Sequence, residues 1–95
     1  MREPTPNPAD PAALALTALA ATLGDERRAQ RFLDLTGIGT DELRARPGNP
    51  ELLVALIRFL EAHEPDLIAV AAEVGVAPKA LIEARHALEH TREQE

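Results

Sequence analysis

Apolar residues recur along this chain at helical spacing, in stretches separated by Gly, Pro or a capping side chain. The stretch Pro50 to His63, PELLVALIRFLEAH, dominates. At 100° per residue, Leu52, Leu53, Leu56, Ile57, Phe59 and Leu60 cover well over half of the helix circumference. Glu51, Arg58 and Glu61 mark the wet side, with Val54 among them. A helix apolar over that much surface must be covered from several directions, so residues 50–62 are expected at the centre of the core. Asn49 suits the N-cap, Pro50 the first helical position, and Pro65 disfavours helix at Glu64.

The remaining helices are expected around it. Asp10 caps a run from Pro11 to Leu23, with Leu16, Leu19, Leu23, Ala12 and Ala20 as the inner stripe and Leu14, Ala18 and Ala21 as a smaller second face. Asp25 caps an amphipathic helix to about Thr36, apolar at Ala29, Phe32, Leu33, Leu35 and Thr36, polar at Arg27, Gln30, Arg31 and Asp34. Gly37-Ile38 reads as a Schellman ending, and Thr40 as the cap of the short helix TDELRAR. Pro65 to Val74 is almost wholly apolar and expected to be heavily buried, with Asp66 and Glu73 on one side. Pro78 starts a last helix through about His90, with Ala80, Leu81, Ala84, Ala87 and Leu88 inward. The fold class is therefore all-α: one compact bundle of five or six short helices over residues 10–90. A mobile Pro-rich tail at 1–9 and a frayed end at 91–95 flank it. The unit Phe32…Gly37-Ile38…Leu43 echoes Val70…Gly75-Val76…Leu81, for which chance or a shared way of turning a helical corner is as good an account as duplication.

With 95 residues and 45% hydrophobic content, a single globular domain is expected. Phe32 and Phe59 are the only aromatics, so Leu, Ile, Val and Ala must build the core. No cysteine is present, which fits a reducing cytoplasm and removes thiolate metal sites. The net charge is −6: residues 1–50 hold six basic and seven acidic groups, residues 51–95 four and nine. An acidic surface disfavours nucleic acid and anionic lipid. The uncharged run Pro11–Leu23, 13 residues or about 20 Å as a helix, falls short of the roughly 30 Å bilayer core. It is read as a core helix and not as a membrane span.

Three constellations invite chemistry. His86-Ala87-Leu88-Glu89-His90 spells H-x-x-E-H, in which two His one turn apart share a zinc and a carboxylate activates its water. Here Glu83, His86, Glu89 and His90 make up the polar side of an amphipathic helix, and a solvated face is the preferred reading. His63 beside Glu64 has the residue types of a general base and its orienter, but the chain contains no Ser or Cys nucleophile. A last-turn capping role is preferred for it. Arg27, Arg28, Arg31, Arg44 and Arg46 flank a helix–corner–helix, as in DNA readers. Asp25, Glu26, Asp34, Asp41 and Glu42 balance them, and the candidate recognition helix opens with two acids.

Arg31-Phe32-Leu33, Thr36-Gly37-Ile38 and Leu43-Arg44 resemble the core of domain-of-unknown-function family 3572, short helical proteins found mainly in alphaproteobacteria. Phe59-Leu60, Glu64, Leu67, Gly75, Pro78, Ala84-Arg85 and Leu88 continue the resemblance, which spans about residues 12–88. The chain departs from the pattern at His63, Pro65 and Val70, where an acid, a small residue and Phe are expected. The first departure removes half of an acidic pair. The resemblance implies a small helical protein with no assigned activity and supplies no catalytic residues.

The reading that follows is a cytoplasmic protein–protein interaction or adaptor module without catalytic activity, metal or cofactor. It would bind an unknown protein partner or itself, with no role at nucleic acid or membrane. Leu14, Val54 and Ile82 fall out of register with the core faces and are the expected docking patch. The rivals are a helix-turn-helix DNA-binding or regulatory protein and a metal-dependent enzyme using His86, Glu89 and His90.

Overall fold

The computed structural model describes residues 10–93; the expected tail at 1–9 and the last two residues lie outside the described part. The order is α1 (Pro11–Leu23), α2 (Glu26–Thr36), α3 (Thr40–Ala45), α4 (Pro50–Glu61), α5 (Glu64–Val74) and α6 (Pro78–Glu93). The fold class is all-α, as the periodicity predicts. The last helix runs past His90 to Glu93.

Local chemistry sets the ends. Asp10 accepts from the backbone N–H groups of Ala12 and Ala13, Asp25 from Arg28, and Asn49 from Glu51. Gly39 is the N-cap of α3, so Thr40 is its first residue and not its cap. Glu64 is already helical, with Pro65 in the first turn of α5.

The two glycine corners differ. At Gly75 (φ 89°), the Val76 N–H reaches the Ala71 carbonyl at 2.9 Å, the long bond of a Schellman ending. At Gly37 (φ 73°), the Gly37 N–H bonds the Leu33 carbonyl. The Ile38 N–H goes instead to the Thr36 hydroxyl, which itself donates to the Phe32 carbonyl. The Thr36 side chain thus takes the donor that a Schellman ending needs, and α2 closes with the simpler left-handed cap. Space around both glycines is open, so only the backbone penalises a Cβ. Gly37→Ala and Gly75→Ala should each cost about 1 kcal/mol. Urea unfolding that shows both variants stabilised would contradict these corners.

α4 is central but shares the centre. Leu52, Leu53, Val54, Leu56, Ile57, Phe59 and Leu60 are all buried, and α1, α2, α5 and α6 all pack against it. α1 is the second hub, against α2, α4, α5 and α6. Its inner face is Leu14, Ala15, Ala18, Leu19 and Thr22, not the expected stripe. Leu19 alone of that stripe goes inward; Ala12, Leu16, Ala20 and Leu23 face solvent. A helix without charge presents no polar side to orient it, and packing against four neighbours decided the face. Thr22 is fully buried because its hydroxyl donates to the Ala18 carbonyl at 2.8 Å. α5 is half-buried, contrary to expectation: Leu67, Val70 and Ala71 go inward, while Ile68 and Ala72 are exposed. Leu35, at the end of α2, is 73% exposed rather than part of its apolar side.

Candidate functional site

The expected docking patch is not on the surface. Leu14 and Val54 are buried, and Ile82 is half-buried against the core. At the level of Val54 the neighbouring helices cover α4, leaving only Pro50, Glu51 and Arg58 of that helix exposed. Leu14 lies inward because α1 turns its smaller face to the core. The apolar surface that remains is elsewhere. Ala12, Leu16, Ala20 and Leu23, spaced by four, four and three residues, form one solvent-facing stripe along α1. The sequence signal for it was present: a 13-residue helix with no charged residue leaves its outer face uncharged whichever face turns inward.

The carboxylate of the H-x-x-E-H stretch is engaged. Glu89 accepts from Arg58 Nε at 3.1 Å and from Arg85 Nη1 at 2.9 Å, and a second nitrogen of Arg58 also reaches it. Arg85 in turn grips Glu61, with Nη2 3.0 Å from Oε1, so α4 and α6 are tied by a four-member ion network. Arg85 Nη2 also lies 3.3 Å from His86 Nε2. His86 and His90 are exposed, on one stripe of α6 with Lys79 and Glu83. Among the described residues, no group of three His, Cys, Asp or Glu side chains is placed to hold a metal ion. Glu89 points into the α4–α6 seam, and a guanidinium sits beside one of the two imidazoles. The geometry favours an interhelical strap over a zinc-activated water.

The hydrogen bond from Arg58, followed by that from Arg85, holds the Glu89 carboxyl below its ordinary value of 4.5. The Glu61 carboxylate pushes Arg85 up. At α2, the Arg28 backbone N–H lowers the Asp25 carboxyl from 3.8. A depressed carboxylate stabilises the fold fully above its unfolded value, and that contribution is lost as pH falls through the folded one. The urea midpoint should therefore be insensitive to these groups near neutrality and fall below about pH 4.5. Glu89→Gln should flatten that acid limb; an unchanged limb would show that the strap does not hold Glu89 ionised.

A second network ties α2 to α5. Arg28 and Asp66 are among the few buried charged residues, 7% and 8% exposed. Arg28 reaches the Ala21 carbonyl at 3.3 Å, Glu73 at 3.4 Å and Asp66 at 3.9 Å, and Arg31 donates to the other oxygen of Asp66. Two of the five arginines that invite a DNA reading are thus turned to internal carboxylates. α3 has six residues and none of them buried. The second corner, α5–Gly75–α6, has longer and better packed helices. Its outward stripe, Lys79, Glu83, His86 and His90, carries one Lys against one Glu and offers no surplus positive charge to a duplex. His63 is exposed at the N-cap of α5. Its side chain makes no capping bond, and its backbone N–H, not its ring, closes the last turn of α4 on Leu60.

No described helix is long and apolar enough to cross a membrane. The model of a family described as Protein of unknown function (DUF3572) matches residues 8–91. No curated protein and no solved structure matches the chain.

Proposed function

We propose that this chain, which belongs to the DUF3572 family, is a non-catalytic interaction module of the bacterial cytoplasm that docks a protein partner through the solvent face of α1. The observation that carries the reading is the stripe Ala12, Leu16, Ala20 and Leu23, apolar and outward on a helix with no charge. The side chains with the best claim to acid–base chemistry support it from the other direction. Glu61, Glu89 and Asp66 are spent on arginines that bind helices together, and the chain has no Ser or Cys nucleophile. A pull-down comparing the wild-type chain with Leu16→Arg tests the reading. Specific partners captured by the wild type and lost by the variant are expected. Capture of the same set by both would overturn α1 as the docking face.

A further inference from the structure

We infer that residues 38–48, with α3 at their centre, form a strap that opens on its own while the other five helices stay folded. The Arg44–Ala45 bond within it is then where an arginine-directed endoprotease first cuts the chain. The inference is independent of the α1 docking face. It starts from what holds the strap. Ile38 and Leu43 bring apolar side chains to the core, and both are only half-buried. Gly39 to Glu42 and Arg44 to Gly48 are all exposed. No side chain caps the N-terminus of α3, and six residues are too few for a helix to be stable without packing. The ion networks pass the strap by, joining α2 to α5 and α4 to α6. Two half-buried side chains are little to set against the conformational entropy of the whole ordered segment.

What flanks the strap is held without it. On one side Phe32 is fully buried and Arg28 ties α2 to Glu73 of α5. On the other, seven residues of α4 are buried. α1 packs on α2 and also on α4, α5 and α6, so it joins the two sides across the core. A released strap still spans its own ends, since an extended chain reaches about 3.3–3.6 Å per residue against about 1.5 Å in a helix. Opening therefore uncovers Ile38 and Leu43 and leaves the bundle in place. An endoprotease takes its substrate in extended form, so a bond within a helix is cut only while that helix is open. Arg27, Arg31, Arg58 and Lys79 are also exposed, but each lies in a helix with buried residues. Arg44 lies in α3, which has none. The Arg46–Pro47 bond is an imide that such proteases pass over. Hydrolysis adds one water across the Arg44–Ala45 amide and leaves a carboxylate on Arg44 and an amine on Ala45.

Two measurements on the full chain test this. The Leu43 and Arg46 amides are bonded to the Gly39 and Glu42 carbonyls. In native-state hydrogen exchange they should exchange at least about a hundredfold faster than those of Leu56 and Leu60, at a rate nearly independent of low urea. Brief trypsin treatment, read by mass, should cut first after Arg44 among residues 10–90. Arg44→Gln should survive several times longer, with its melt unchanged. The two pieces of the nicked wild type should stay together on a sizing column and keep their helical signal. Leu43 and Arg46 exchange that rises with urea in step with Leu56 would overturn the strap. A first cut in another helix, or an Arg44→Gln digested as fast as wild type, would overturn the cleavage site. Pieces that separate and unfold on nicking would show that the five helices do not hold without the strap.

Discussion

Phe32→Ala should destabilise the protein by about 3–5 kcal/mol, the range for deleting a buried aromatic side chain. Phe32 is fully buried and meets Phe59 edge-on, with ring centroids 5.5 Å apart and planes at 66°. That arrangement adds to the transfer energy of the ring. Phe32 is also the one buried apolar residue of α2, so the truncation removes the anchor of a whole helix along with a cavity's worth of contacts. For a domain of this size the loss corresponds to a fall in Tm of about 12–40 °C. Against a typical total of about 5–10 kcal/mol, the variant is close to unfolded. Phe59→Ala should fall in the same range, because it empties the other half of the pair. A melt within a few degrees of wild type for either variant would show that the aromatic pair does not hold α2 to α4.

Asp66→Ala should be the next most damaging change, at about 2–3 kcal/mol. Removing one partner of a fully buried ion pair costs roughly 3–5 kcal/mol, chiefly by stranding the other charge. Arg28 keeps the Ala21 carbonyl and Glu73 when Asp66 is gone, which places the expected loss below that range. Arg31 is largely solvated on its outer side, and Arg31→Ala should cost under about 1 kcal/mol. The paired substitution Arg28→Met with Asp66→Leu, which takes both charges out of the interior, should recover most of the stability lost in Asp66→Ala. Urea denaturation of the four proteins decides the matter. An Asp66→Ala as mild as Arg31→Ala would show the contact to be an ordinary surface pair.

These two sites mark the boundary of what the amino-acid pattern reveals. Asp10, Asp25, Asn49, Pro50, Gly37 and Gly75 act on backbone within a few residues, so the helix ends were legible position by position. Phe59 and its neighbours were legible because α4 has no second apolar side to choose from. α1 is apolar all round, and no periodicity could tell Leu14 from Leu16; the choice was made by four neighbours far away in sequence. The same holds for Arg28, which looks like any solvated arginine until the partners are known. Glu73 lies 45 residues away, and Asp66 lies 35 residues from Arg31. Glu89 was legible as a candidate zinc-site base by its spacing and became a strap through Arg58, a helix that the motif does not mention.

The partnership of α1 with α6 has a consequence for how the protein is made. Among the described residues, the first of the six helices packs most extensively on the last. On the ribosome, at roughly 5–20 residues per second, α1 therefore waits several seconds before its inner face can be covered. During that interval both of its sides are apolar and neither carries a charge, an open invitation to chaperones and to other nascent chains. A chain stalled within residues 64–77 lacks α6, so the sides of α1 and α4 that pack on it stay uncovered. Stalled complexes of that length should crosslink to holdases through α1, and chains that have folded with α6 should not.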